Sequence, residues 1–174
     1  MNMPIDKAFT CTGAYALLIV AGLKLVENRS AMPVSSSGQC AMSVSKKFCR
    51  GEYDNLLAWL EQSGNGAARG LIAPWEVART WPGCIVATMN YEAVSSIPDD
   101  TSLAQHCRFW NEGYANWWLL SNVRRLPMPI SCRGNVGMWQ MPPDLSSRVD
   151  RLFSGGTNGD KSHLFTREVV HECL

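Results

Sequence analysis

The stretch Gly22-Leu23-Lys24-Leu25-Val26-Glu27-Asn28-Arg29 joins an apolar segment to an alternating, charged one. The apolar residues 13–21 that lead into it are typical of a short helix, and the first glycine of the stretch lies where a left-handed C-cap would end that helix. Residues 25–30 alternate in the manner of a β-strand, which places Glu27 and Arg29 on the same face. The stretch therefore predicts a helix–turn–strand unit whose strand carries charged side chains.

Short helix-like and strand-like runs follow one another along the rest of the chain. Apolar spacing, proline positions and flanking turns predict helices at residues 52–62, 74–80, 101–109 and 142–153. Further strands are predicted at residues 40–45, 83–94, 117–123 and 136–141. Residues 126–130 hold two prolines that cannot donate to a ladder, so this corner is expected at an edge or a crossover. The first ten residues are expected to be a loose lead-in.

Several short strands with helices inserted at intervals favour an α+β domain. A doubly wound parallel sheet would need regular strand–helix alternation and a glycine-rich phosphate loop, and the sequence has neither. We therefore predict one domain over residues 1–153, a small mixed β-barrel of about five to six strands flanked by short helices. The β-rich run 83–94 is expected at its centre, and the polar segment 154–174 is expected to be a mobile tail.

Composition limits the classes of protein to which the chain can belong. The chain has 174 residues, of which 46% are hydrophobic, and it can bury one substantial core. Its seven cysteines contain no C-x-x-C pair, which argues against a zinc ribbon or a thioredoxin motif and favours a reduced, cytoplasmic or nuclear compartment. The long apolar run at residues 14–21 is too short to span a bilayer. We expect no membrane association, no cofactor and no metal, and no pattern fixes an oligomeric state.

The charged residues of the opening stretch can converge on a ligand. Alternate residues on one strand face lie about 6.5–7 Å apart at Cα, so the heads of Glu27 and Arg29 can meet on a small polar molecule. They can equally pair with each other on a solvated face. Arginine offers a planar fork to phosphate or a base edge, Lys24 a mobile point charge, and the glutamate an acceptor for exocyclic amines.

Other side chains carry a similar choice between binding and structure. Ser45 and Lys46 end the second predicted strand, where the basic pair with Lys47 can hold phosphate or form a solvated turn. Arg133 precedes a glycine that lets a backbone approach a ligand closely, and the alternative for this segment is a barrel corner. Tyr15 can stack on a base.

Three patterns occur in order over residues 11–143. The first is Tyr15-Ala16 followed by Gly22-Leu23-Lys24 and Glu27-Asn28-Arg29-Ser30, and the second is Ser43-Val44-Ser45-Lys46-Lys47-Phe48. The third comprises Trp117-Trp118-Leu119-Leu120, Leu126-Pro127-Met128-Pro129-Ile130, Cys132-Arg133-Gly134 and Gly137-Met138-Trp139. Together they resemble the ASCH family (activating signal cointegrator homology), a branch of the PUA-like superfamily. The chain departs from that pattern at Gly13-Ala14, where Gln-Pro is frequent, and at Ala31, where tryptophan is frequent.

The resemblance implies a PUA-like barrel with a cleft between the first helix and the barrel. It further implies a module that binds nucleic acid and prefers RNA, with single-stranded nucleic acid or a nucleoside-like small molecule as the other partners considered. Lys24, Arg29, Lys46 and Arg133 would contact phosphate or base edges, with Tyr15 stacking a base. Glu27 and Ser45 complete the set of predicted binding residues.

A small hydrolase is the alternative function. Some members of the wider ASCH group cleave the amide of acetylated cytidine with a lysine, a threonine and a glutamate. Lys24 matches the lysine, but the position of the threonine carries Glu27, so the expected hydroxyl nucleophile is missing there. In a hydrolase acting on a modified nucleoside or on RNA, Glu27 would serve as general base on water and Lys24 would stabilise the oxyanion.

Overall fold

In the computed structural model, which describes residues 4–30, 33, 35–95 and 116–155, one six-stranded sheet organises the chain. Its strands are β1 (Lys7–Cys11), β2 (Val26–Arg29), β3 (Ser37–Val44), β4 (Cys84–Val94), β5 (Asn116–Ser131) and β6 (Met138–Gln140). The helices are α1 (Gly13–Val20), α2 (Arg50–Gln62), α3 (Trp75–Ala78) and α4 (Pro143–Gly155), with a 3-10 helix at Gly66–Leu71. The predicted helix at residues 101–109 and nearly all of the predicted tail lie outside the described residues.

The sheet is mixed and strongly curled. Its order is β2-β5-β4-β3-β1-β6, with β1 and β3 parallel and the other neighbours antiparallel. Two strands separate β5 from β1, yet the rings of Trp118 and Phe9 meet with centroids 5.9 Å apart. In a flat sheet those strands would lie about 14 Å apart, so the sheet bends into a half-barrel. The predicted α+β class with about six strands and short flanking helices is confirmed.

The two faces of the sheet pack against different helices. One face carries the larger core, to which α1 and α2 contribute and which includes the buried side chains of Phe9, Leu17 and Trp118. The other face carries a smaller core in which Ala8 and Val149 are fully buried, the latter on α4. The helix–turn–strand unit around the opening stretch is confirmed, since α1 is followed by a left-handed glycine, Gly22, with φ 74°.

Strand β1 corrects the expectation of a loose lead-in over the first ten residues. It pairs with β3 on one side and β6 on the other, and its Ala8 and Phe9 are completely buried. Apolar side chains fill both faces of this short strand, so the period-two alternation that marks a half-buried strand is absent.

The proline-rich corner is part of β5 and lies at an edge, as the sequence indicated. Ile130 pairs with Ile85 and Arg125 pairs with Ala87, so residues 126–129 face a single residue of β4. Within the described part of the chain, β2 pairs with β5 only along residues 116–119, which leaves the prolines without a ladder bond to supply.

Gly13, the first residue of α1, provides a test of the packing between helix and sheet. A Cβ at this position would overlap the ring of Phe48, so we expect Gly13→Ala to lower the free energy of unfolding by about 1–3 kcal/mol, as overpacking does. Gly51→Ala in α2 is the matched control, because its nearest neighbour would be Cys49 Sγ at 3.9 Å. The control should stabilise the protein by about 0.4–1 kcal/mol. Equal effects of the two variants in urea unfolding would contradict this packing.

Candidate functional site at the end of strand β1

The carboxyl end of β1 brings together pieces that are distant in sequence. The Thr10 carbonyl accepts a hydrogen bond from Arg29 Nη2 at 2.6 Å, and the Cys11 carbonyl accepts one from the Ser45 amide at 2.9 Å. Gly134 packs on the Thr10 side chain so closely that a Cβ there would lie 2.6 Å from Thr10 Oγ1. The structure thereby gathers all three predicted pieces around one strand end. We name this region the β1 corner.

Lys24, Glu27 and Arg29 form a buried ionic cluster beside that corner. Glu27 Oε1 lies 2.8 Å from Arg29 Nη2, and Glu27 Oε2 lies 3.5 Å from Lys24 Nζ. Lys24 is 1% exposed and Glu27 5% exposed, and the lysine also donates to the Val26 carbonyl. The predicted convergence of these heads is found, and they converge on one another. The alternative of a solvated surface pair does not hold, because the cluster is shielded from water.

Aromatic rings line the cluster. Lys24 Nζ lies 4.7 Å from the centroid of the Tyr15 ring, which is half-buried on α1. The guanidinium of Arg29 lies 5.6 Å from the Phe9 ring and 5.5 Å from the Trp118 ring. Such contacts stabilise cations where water is scarce. They hold both cations in place without a second carboxylate from the described residues.

The cluster contains two basic side chains and one carboxylate. Burial lowers the pKa of Lys24, and Glu27 opposes that shift by favouring the charged ammonium. Burial also raises the pKa of the neighbouring Cys11 thiol, with Glu27 adding to the rise. A proton on this thiol and a lysine that is costly to charge are the expected consequences of a dry site.

Two buried atoms of the cluster have no hydrogen-bond partner. Glu27 Oε2 accepts no hydrogen bond beyond its longer ion-pair contact with Lys24, and Arg29 Nε donates none. Buried groups of this kind cost free energy and are few in native proteins. The cluster therefore offers one acceptor and one donor to an additional molecule.

The remaining predicted residues lie at the surface of the β1 corner. Lys46 and Arg133 are exposed, and among the described residues neither forms an ion pair. Ser45 is half-buried, and its hydroxyl accepts a hydrogen bond from the Lys47 amide at 3.3 Å. Burial raises the pKa of the Cys132 thiol, which argues against a nucleophilic cysteine there.

Sequence reasoning missed Thr10 and Cys11, whose carbonyls hold the site together. Their segment shows neither alternation nor a motif, so the only available signal was the ordered set of family-like pieces around it. The described residues contain no group of three or more potential metal ligands. They also contain no helix long and apolar enough to cross a membrane.

Comparison with known proteins gives structural but not sequence matches. Neither a family model nor a curated protein matches the chain. A point mutant of an ASCH protein from Zymomonas mobilis matches with a TM-score of 0.46 and 13% identity, over 86% of this chain and 99% of that one. The crystal structure of ASCH from the same organism matches with a TM-score of 0.44 and 14% identity, over 84% and 94%. Both are ASCH structures, the family that the sequence resembles.

The lowered pKa of Lys24 predicts a pH dependence of stability. Below the 10.5 of a free lysine, the unfolded chain holds this proton more firmly than the folded chain does. The free energy of unfolding of the wild type, relative to Lys24→Met, should therefore rise with pH between neutrality and about pH 9.5. Urea unfolding at stepped pH measures the difference. Lys47→Met, an exposed control, should run parallel to the wild type, and a flat difference for Lys24→Met would contradict the burial of a strained ammonium.

Proposed function

We propose that the chain binds single-stranded RNA by capturing one nucleobase against the Lys24–Glu27–Arg29 cluster. The observation that carries this proposal is the pair of unpaired buried atoms, an acceptor on Glu27 and a donor on Arg29, beside two basic side chains. A site occupied only by protein would leave both atoms permanently unsatisfied. A ligand with complementary groups removes that cost.

The edge of a nucleobase carries the complementary groups. An exocyclic amine can donate to Glu27 Oε2, while a ring carbonyl or ring nitrogen can accept from Arg29 Nε. Sequence-specific RNA recognition usually takes an unstacked base from a single strand and reads such edges in a pocket. Cytosine, adenine and guanine each present an amine, so these bases fit the cluster better than uracil does.

The surroundings of the cluster suit the rest of a nucleotide. Tyr15 is half-buried beside Lys24 and offers a ring face on which a base can stack. Lys46 and Arg133 are exposed cations at the β1 corner and supply phosphate contacts. These contacts position the strand, and the buried cluster reads the base.

Hydrolysis is supported less well by the geometry. Glu27 contacts both cations of the cluster, so its carboxylate is committed to ion pairs. The expected hydroxyl nucleophile is replaced by this same residue. Binding without cleavage is therefore the function we favour.

Titrations with short RNA and single-stranded DNA oligomers at several salt concentrations test the proposal. The Lys46→Gln/Arg133→Gln double variant should bind more weakly, with a salt dependence about two units shallower on a log–log scale. Arg148→Gln on α4 is the matched control, since it removes an exposed cation away from the β1 corner. The control should bind as the wild type does.

Individual nucleosides complete the experiment. Cytidine, adenosine or guanosine should raise the unfolding midpoint of the wild type by mass action, and uridine should raise it less. Mass spectrometry of acetylated cytidine after incubation separates binding from hydrolysis. Flat isotherms with every oligomer at low salt, together with no nucleoside-dependent shift, would overturn the proposal.

A further inference from the structure

A bulge in β5 places a cation on the opposite face of the sheet from the ionic cluster. Asn90 pairs with Ser121, but Thr88 pairs with Arg124, so β5 has one residue more than β4 over this interval. The extra residue is accommodated at Asn122, which adopts a left-handed backbone with φ 54°. Asparagine tolerates this conformation better than most residues.

The bulge decides which side chain faces Thr88. Without the extra residue, regular pairing would set Val123 opposite Thr88. With it, Val123 turns into the larger core and is 4% exposed, while Arg124 takes the place beside the threonine. Thr88 also pairs with Ala41, which belongs to the smaller core beneath α4. Arg124 and Thr88 thus share the face that α4 covers.

Both side chains are left with unsatisfied polar atoms. Thr88 is 1% exposed and its Oγ1 has no hydrogen-bond partner, and the buried Nε of Arg124 has none either. The guanidinium lies 5.2 Å from the ring centroid of Phe153 on α4, which covers part of its surface. Among the described residues no carboxylate forms an ion pair with Arg124, and the next residue is another arginine.

We propose that Arg124 and Thr88 form a second binding site, for a phosphate-type oxyanion, beneath Phe153. The guanidinium N–H and the threonine hydroxyl are two donors on directly opposite residues, whose Cβ atoms lie about 5 Å apart. One tetrahedral oxyanion can accept from both and neutralise the unpaired charge. A water molecule could satisfy the hydrogen bonds but would leave the arginine uncompensated. The ligand is inorganic phosphate or the terminal phosphate of an oligonucleotide.

Thermal unfolding of the full chain in phosphate and in chloride of equal ionic strength tests this site. Phosphate should raise the midpoint of the wild type and of Arg125→Met, the matched control that removes an exposed neighbouring charge. Arg124→Met should lose the phosphate-dependent rise, with affinity reduced roughly tenfold to a hundredfold, as expected on removal of hydrogen bonds to a charged group.

Thr88→Val keeps the assay decisive if the arginine variant folds poorly. Without phosphate this variant should match or exceed the wild type in midpoint, because an unsatisfied hydroxyl is replaced by an apolar group of the same shape. With phosphate its rise should be smaller than that of the wild type. An unchanged rise in Thr88→Val, or no rise in the wild type, would show that the site holds only water and would overturn the proposal.

A short DNA oligomer with and without a 5′-phosphate distinguishes the two sources of the ligand. Inorganic phosphate that competes with the phosphorylated oligomer supports a site open to both, whereas binding of inorganic phosphate alone assigns the free ion. The site is independent of base capture, since Glu27→Gln should keep the full response to phosphate. Loss of that response in Glu27→Gln would contradict a separate site.

Discussion

The hydrogen bond from Arg29 to the Thr10 carbonyl joins strands that stand four places apart in the sheet. Neighbouring strands lie about 4.8 Å apart, so a flat sheet would separate β2 from β1 by about 19 Å. The donor and acceptor are 2.6 Å apart because the sheet curls until its two ends approach. Aromatic packing of Phe9 against Trp118 fills the inside of that curl. The position of the ionic cluster depends on this closure.

Closure by a buried charge has an energetic consequence. Taking Lys24 and Glu27 out of water costs more than their mutual attraction reliably returns, and buried ion pairs can often be replaced by apolar groups without loss of stability. Apolar residues in place of Lys24 and Glu27 would join β2 to the core with less desolvation. The retention of two cations and one carboxylate, with atoms left unpaired, is therefore better explained by ligand binding than by folding.

The sequence predicted those parts of the fold that depend on local chemistry. Gly22 ends α1 because its left-handed backbone suits a glycine, and strand alternation placed Glu27 and Arg29 on one face. Strand β1 could not be predicted in this way, because its partners are distant: Thr10 contacts Ser43, 33 residues on, and Trp139, 129 residues on. The bulge at Asn122 depends on the register between two strands, which no local pattern records. The convergence of the site followed only from the family resemblance.

The central claim is that the ionic cluster exists to bind a ligand. The double variant Lys24→Met/Glu27→Gln tests it most directly, because it removes the buried ion pair and leaves the Arg29–Thr10 bond in place. Urea unfolding with and without cytidine, adenosine or guanosine reports stability and binding together. We predict a free energy of unfolding within about 1 kcal/mol of the wild type or above it, and no nucleoside-dependent increase. A loss of about 3 kcal/mol or more with the nucleoside response intact would show that the cluster is a structural tie.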